Sequence, residues 1–559
     1  MTSSPATAWS VEFLRELMAS GVEHVVVSPG ARSQAVALAA LAWEQVPGSP
    51  LSVHVVVDER SAAFRALGLT METGRPALCV STSGSAPAHY FPAVLEALHQ
   101  GVPLIVLSAD RPAELHGVGA NQTTDQSALF GLQVPTIMVE TPEDTAGTGA
   151  RDVARHAVRG AERPGPVHVN VAFREPLSSP VTLNQADLPD INPVVLDESH
   201  ATTLRVNPEP GTVVVAGSGA GPRAEALAVS LGAPLIAEVA SGARFGPHLV
   251  PAYRHLLGDP AWSKTITRVI TVGRPTLSRE VSALLARTDV VHIALRGAHL
   301  EVANPSHLAT VADFLEVNEE ATSQQRAEWV KPWIQAGRVL QEGVLSEVSP
   351  EPPDREALES NDQAVRSSFA KKEMAVLREP VTRAVLALGV WEATWPHDRL
   401  VLGASRMIRE LDRIAPGKNI PVFANRGLSG IDGTVSTARG IAKGALHSGA
   451  SGITRVLLGD LSFLHDAGSL MVEPGVDDHS RVHIVVANDG GGSIFDLLEK
   501  TAEQRHHDRV LFTPHDVDLE ALATAYGWDY QRVHHRGDLA EALGRSESRL
   551  VIDVSLPRY

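Results

Sequence analysis

Short β-rich runs that stop at turn or polar residues alternate with helix-like stretches along most of this chain, and that alternation restricts it to parallel α/β layers. In residues 10–180 the strand-like runs are HVVVSPG, SVHVVVDE, ALCVST and PLIVLSAD, with SVEFLRELMASG and PAVLEALHQG reading as helices. Prolines, Asp and Asn break the period over 173–210. The habit returns in GTVVVAGSGAG, RVITVG and VVHIAL, and again in DRLVLGASR, PVFANRG, RVLLGD, RVHIVVAND and RLVIDVS. A chain of 559 residues is too long for one core and, at about 150 residues per domain, suggests three or four units. The expected architecture is α/β, with three consecutive domains built on parallel sheets. The expected bounds are 1–185, 200–340 and 381–559, with 341–380 a polar, proline-bearing linker that turns helical near Phe369.

The net charge of −17 argues against a nucleic-acid or polybasic membrane role, because neutralising phosphates needs clustered Lys and Arg. Small anionic substrates stay open to it if a few arginines gather locally. One cysteine, Cys79, excludes an internal disulfide and a Cys-rich zinc site, and its apolar surroundings read as core. No apolar stretch approaches the ~20 residues of a membrane span, and no secretory signal is visible in MTSSPATAWSVEF, so a cytoplasmic protein is expected.

Two strand ends carry the chemistry. RVLLG runs into Asp460, and SRVHIVVA runs into Asn488-Asp489-Gly490-Gly491. Asp460 and Asp489 stand 29 residues apart, the length of one βαβ crossover, so parallel strands would open both on one sheet edge. Acidic oxygens and a glycine carbonyl beside free N–H groups suit a hard divalent cation holding a diphosphate. The plainer alternative is that Gly-Asp and Asn-Asp-Gly are ordinary turns.

Glu59, at the end of SVHVVVDE, is either a helix cap or an acid/base group facing a cleft, with Asp58 competing for the role. Ser28–Ser33 is a small-residue loop in which Arg32 offers a bidentate fork. Gly119–Gln122 and Asn425–Gly433 are polar, glycine-rich loops of the kind that carry sites. Ser405 and Arg409, four apart on an expected helix, share a face. Gly217–Gly221 follows a strand like a dinucleotide fingerprint, but its third glycine falls one residue early. His506-His507 and His534-His535 lack carboxylates at ligand spacing and read as solvated.

Taken together, these residues resemble the thiamine-diphosphate enzymes, whose metal motif is G-D-G followed one crossover later by N-N. More narrowly, SPGARS, DERSAAFRALGL, TSGSA, LSADRPAEL with GANQ, NRGLSGIDGTVSTA and GDLSFLHD resemble the 2-succinyl-5-enolpyruvyl-6-hydroxy-3-cyclohexene-1-carboxylate (SEPHCHC) synthase family, with only a loose match over 185–380. The resemblance implies a pyrimidine-binding domain, a central transhydrogenase-like domain without nucleotide, and a diphosphate-binding domain. It also implies a homodimer as the minimum unit and a homotetramer as the usual one, with the cofactor between two subunits.

By the same resemblance, Glu59 contacts N1′ of the cofactor's aminopyrimidine and Ile431 wedges the cofactor into a bent form. Gly459, Asp460, Leu461, Ser462, Asp489 and Ile494 line its site, and Asp460, Asp489 and the Gly491 carbonyl hold Mg²⁺, or Mn²⁺. The substrates implied are 2-oxoglutarate and isochorismate, anchored by Arg32, Arg409 and Arg426 with Asn121, Gln122 and Ser405. The family's central-domain basic residue corresponds to Arg274 or Arg279. The chain departs from the superfamily at Leu461, where glycine is usual, and at Asp489, where asparagine is. Ala31 replaces the family's frequent serine. A related enzyme acting on a monocarboxylate, or a nucleotide-binding regulator using Gly217–Gly221, are the competing readings.

Overall fold

The computed structural model describes residues 4–161, 165–194, 201–350, 354–473, 479–497 and 503–559. Alternating runs such as ALCVS become strands because each buries both faces. In the first sheet Val25, Leu78 and Ile105 join one apolar cluster, while Val26, Cys79 and Val106 join the other. That sheet comprises β1 (His24–Val27), β2 (Ser52–Val55), β3 (Ala77–Ser81), β4 (Leu104–Asp110), β5 (Thr136–Val139) and β6 (Pro166–Ala172), in spatial order β2-β1-β3-β4-β6-β5.

The middle of the chain contributes β7 (Thr203–Val206), β8 (Thr212–Ala216), β9 (Leu235–Ala237), β10 (Arg268–Val272), β11 (Val291–Leu295), β12 (Thr310–Ala312) and β13 (Phe314–Val317). Five of them order as β12-β11-β10-β8-β9, and β13 pairs with β7 alone. The last sheet holds β14 (Arg399–Leu402), β15 (Val422–Phe423), β16 (Thr454–Gly459), β17 (Val482–Asn488), β18 (Asp529–Val533) and β19 (Arg549–Ser555), ordered β15-β14-β16-β17-β19-β18. The strands of every sheet pair in parallel, so the fold is α/β with parallel sheets. Among the described residues no helix is long and apolar enough to cross a membrane.

The first and last sheets are joined by two helices, Glu59–Thr73 and Thr434–His447, each leading out of the second strand of its own sheet. Glycine makes the close approach possible from both sides. A Cβ on Gly68 would sit 2.0 Å from the Thr437 carbonyl oxygen, and one on Gly440 would sit 2.1 Å from that of Arg65. Ser436 Oγ donates to the Ser61 carbonyl at 2.5 Å, and Arg399 pairs with Glu72 across the same seam.

The segment expected to be a linker is largely helical. Helix Lys331–Ser346 runs across its start, and Val344 and Val348 bury in the core of the last sheet beside Trp391. An exposed helix, Gln363–Leu377, follows, and residues 351–353 lie outside the described part. Here the polar composition goes with exposed helix rather than with coil.

Candidate active site

The register Gly459↔Ala487 places the ends of β16 and β17 side by side. Just past that pair, Asp460 follows Gly459 directly and Asp489 follows Ala487 by two residues, and both reach one cavity of about 220 Å³, whose walls all come from 383–495. Gly459, Leu461, Ser462, Gly491, Ile494, Ser405 and Ile431 line it as well. Asp460 starts the helix Asp460–His465. Its Oδ1 accepts from Leu461 N at 2.6 Å and its Oδ2 from Gly491 N at 2.9 Å. Burial, and then the neighbouring Asp489 carboxylate, push the Asp460 carboxyl above the usual carboxylate range. Asp489 Oδ2 accepts from Arg383 Nη2 at 2.6 Å and from Ser493 Oγ at 2.5 Å, leaving Oδ1 without a protein partner among the described residues.

Two buried carboxylates that resist sharing one space, with a backbone carbonyl alongside, form a hard-oxygen donor set that a divalent cation relieves. The residues present therefore fit the implied metal–diphosphate group. Ser405 is not inside a helix as expected. It is the N-cap of Arg406–Ile414, its Oγ accepting from Met407 N at 3.1 Å, while its carbonyl takes Arg409 Nη1 at 3.1 Å. Burial and the nearby guanidinium of Arg279, then Arg254, lower the Arg409 pKa, which marks a local excess of positive charge.

The N-terminal sheet carries the other predicted residues on its own carboxyl edge. Asp58, not Glu59, caps the helix Glu59–Thr73, its side chain accepting from Ser61 N at 3.2 Å. That leaves the Glu59 carboxylate free of the capping role, half-buried and close enough to Tyr90 to help keep its phenol protonated. Arg32 donates Nη1 to the Phe173 carbonyl at 2.8 Å. Asn121 and Gln122 are exposed, and Gln122 adopts φ 55°, a left-handed conformation uncommon outside glycine. Reciprocal hydrogen bonds with Ser83 hold it there: Nε2 donates to the Ser83 carbonyl at 2.9 Å and its own carbonyl accepts from Ser83 Oγ at 3.1 Å.

Arg426 is not among the residues that line the cavity, and its guanidinium donates to Thr276 Oγ1 at 2.9 Å and to the Thr276 carbonyl at 3.0 Å. Arg274 donates to the His99 carbonyl at 3.2 Å, so of the two central arginines it is Arg279 that neighbours Arg409.

Several residues were not singled out from the sequence. Arg111, buried, donates to Ser83 Oγ, and burial together with Arg32 lowers its pKa. Its place beside Asp110 at the end of β4 was the only available signal. Arg383 and His515, the latter 3.3 Å from Asp460 Oδ2, come from segments with no motif. Glu96, its carboxyl raised by burial, accepts from Gly427 N at 2.5 Å and Leu428 N at 2.8 Å and so pins the loop that carries Ile431.

Of the other expectations, that for His507 is corrected. The N–H groups of Gly217, Ser218, Ala220 and Gly221 are all bonded to carbonyls, so that loop offers little to a phosphate. His507 is buried between Asp496 and Asp508, each 3.8 Å away, rather than solvated, whereas His506, His534 and His535 are exposed as expected, His535 also capping the helix Arg536–Leu543 beside Asp538. Cys79 is a buried core thiol, as expected.

A carboxylate pair at neighbouring parallel strand ends, in a chain that carries a second sheet of like topology, suits the thiamine-diphosphate enzymes. Residues 10–129 match the family described as "Thiamine pyrophosphate enzyme, N-terminal TPP binding domain". The whole chain is 45% identical to the 2-succinyl-5-enolpyruvyl-6-hydroxy-3-cyclohexene-1-carboxylate synthase of Leifsonia xyli subsp. xyli, covering 97% of that protein. It is also 45% identical, over its full length and 97% of the relative, to the same synthase of Clavibacter michiganensis. The synthase of Arthrobacter sp. strain FB24 is 40% identical over 98% of this chain and 88% of its own. The chain belongs to the SEPHCHC synthase family of thiamine-diphosphate enzymes.

Proposed function

We infer that this enzyme decarboxylates 2-oxoglutarate and adds the four-carbon remainder to isochorismate, giving SEPHCHC and CO₂ in menaquinone biosynthesis. The observation that carries the reading is the convergence of Asp460 and Asp489 at one cavity in a chain 45% identical, end to end, to synthases of that name. Bound thiamine diphosphate supplies the carbanion chemistry. Asp460, Asp489 and the Gly491 carbonyl hold Mg²⁺, or Mn²⁺, against the diphosphate, and Gly459, Leu461, Ser462 and Ile494 form the surrounding wall. Ile431, on the same wall and 37% exposed, offers an apolar surface against which a bent cofactor can rest.

Glu59 holds and releases the proton at the aminopyrimidine edge. Its freedom from capping supports that role. Every wall of the cavity comes from 383–495, which supports a reading in which Glu59 reaches a cofactor there from the N-terminal sheet of a second chain. On that reading a homodimer is the minimum active unit and a homotetramer the usual one, and the enzyme acts in the cytoplasm. Both substrates are dicarboxylates. Arg32 with Asn121 and Gln122 on one edge, and Arg409 with Ser405 and Arg279 on the other, anchor them by charge-assisted hydrogen bonds. Arg426, near enough to Arg409 for their charges to repel, completes the set of anchors while its fork holds the loop to Thr276.

The test is CO₂ release by the enzyme loaded with thiamine diphosphate and Mg²⁺. Isochorismate plus 2-oxoglutarate should turn over. Turnover of pyruvate without turnover of that pair would overthrow the substrate assignment while leaving the cofactor assignment intact.

A further inference from the structure

At the amino end of β1, on the sheet edge opposite Glu59, three ligand-bearing side chains converge. The donor atoms of Glu23, His24 and His447 all lie within 4.8 Å of one another. Glu23 and His24 lead into the first sheet, whereas His447 closes the helix Thr434–His447 that belongs to the last. His447 Nε2 stands 3.5 Å from Glu23 Oε2. Ligand atoms on a tetrahedral zinc ion, with bonds of about 2.0–2.1 Å, are themselves about 3.3–3.4 Å apart. The His24 and His447 rings meet edge to face with centroids 4.7 Å apart.

A second observation points to a ligand. His24 is 3% exposed, and its buried Nε2 has no hydrogen-bond partner. Leaving such an atom unmet costs free energy unless something occupies its lone pair. The other ring nitrogen is committed: Nδ1 lies 3.2 Å from His54 Nε2, which fixes the ring as an outer partner does behind a metal-bound imidazole. Arg75 grips Glu23 Oε1 and turns Oε2 toward His447. A cavity of about 220 Å³ bounded by His24 and His447 leaves room for a water as fourth ligand. Its wall carries Arg65, Arg439 and Lys443 against Glu44 and Glu473, so the ion meets a pocket of nearly balanced charge.

We propose that Glu23, His24 and His447 bind a structural zinc ion that staples the first sheet to the helix Thr434–His447 within one chain. The ion closes a gap between segments far apart in sequence, and its contribution is to folding rather than to the reaction.

The test uses the full chain saturated with thiamine diphosphate and Mg²⁺, so that the Asp460–Asp489 site is occupied, dialysed against micromolar zinc sulfate. One zinc per chain is expected by mass spectrometry of the metal, with affinity falling tenfold or more in His447→Ala and in Glu23→Gln. Zinc should raise the thermal midpoint of the wild type and leave that of His447→Ala unmoved, and Co²⁺ should give tetrahedral absorption bands that the same variant lacks. If His447 and Glu23 are merely an ion pair, the wild type will hold no zinc and His447→Ala will lose stability with or without the metal. That result, or full zinc retention in His447→Ala, overturns the proposal. Should His447→Ala fold poorly, His447→Gln with unchanged circular dichroism gives the same discrimination.

Discussion

The first and last sheets are built to one plan: six parallel strands whose second strand lies at the edge beside the first and whose sixth is inserted before the fifth. Yet equivalent strand ends carry opposite chemistry. The third strand closes on Ser81, Thr82 and Ser83 in one sheet and on Gly459-Asp460 in the other. The fourth closes on Asp110-Arg111 and on Asn488-Asp489. In the N-terminal sheet Asp110 is neutralised locally, its Oδ1 accepting from Arg111 N at 2.7 Å and its Oδ2 from Asn170 Nδ2 at 2.8 Å. That edge is left with Arg32 and Arg111 as its character. In the C-terminal sheet the two carboxylates are buried together and ask for a cation. Topology decides which residues meet, and the two or three residues after each strand decide what they hold.

The sharpest way to break the comparison is Glu59→Gln, which removes the one carboxylate expected to act from the N-terminal edge. Turnover should fall by about 10²–10⁴-fold, the usual range for a lost acid/base group, with thiamine diphosphate binding intact by calorimetry. Near-normal turnover would take Glu59 out of the mechanism.

On the opposite edge, Asp460→Asn should weaken cofactor binding by about 1.5–3 kcal/mol, roughly ten- to a hundredfold. The pH dependence follows from the raised Asp460 carboxyl. Protonation sets in at a higher pH than for an ordinary aspartate, so Mg²⁺-dependent cofactor affinity should drop early on acidification, and the Asn variant should lose that drop.

Arg32→Ala should raise the KM for the dicarboxylate substrates by a comparable about 1.5–3 kcal/mol with little change in cofactor affinity. An equal loss of cofactor affinity would show that the two edges are not chemically separate.

Gly440→Ala probes the seam between the sheets. Its new methyl would strike the Arg65 carbonyl at 2.1 Å, a helix backbone with little room to yield, and overpacking of this kind costs about 1–3 kcal/mol. The thermal midpoint should fall, and an unchanged midpoint would mean that the helices are not held at this distance.

The smallest effect expected is at Glu238, buried and accepting from Thr276 N, Leu277 N and Ser278 N. Burial, and then Asp412, push its carboxyl up to about 7. A folded-state pKa above the unfolded one means that ionisation opposes folding. The penalty is absent below the ordinary carboxylate range, grows on the way to about pH 7 and is complete above it. Thermal midpoints measured from pH 5 to pH 8 should therefore decline less in Glu238→Gln than in the wild type.

Much of the α/β order was legible because a strand buried on both faces has to be written as an apolar run, and such runs end where the backbone meets the site. Asp460 and Asp489 could be paired on paper because consecutive parallel strands are usually neighbours and fix which ends share an edge. The Glu59 and Asp58 ambiguity was not soluble in that way. Both follow the same strand, and only the hydrogen bond from Ser61 N shows which one caps. Arg383 lies 106 residues from Asp489, and His515 comes from a loop with no motif of its own, so neither contact had a local signature. Arg426 donates its fork to Thr276, 150 residues away, a contact with no local signature either.

The sequence by itself determined the parallel layers, the acidic pair and the family, because strand periodicity and strand-end residues are local and depend only on the chain's own order. Only the tertiary structure decided which aspartate caps its helix, which carbonyls the arginines engage and that Glu23, His24 and His447 meet. Those outcomes depend on how sheets hundreds of residues apart pack through Gly68 and Gly440, and no local pattern encodes that distance.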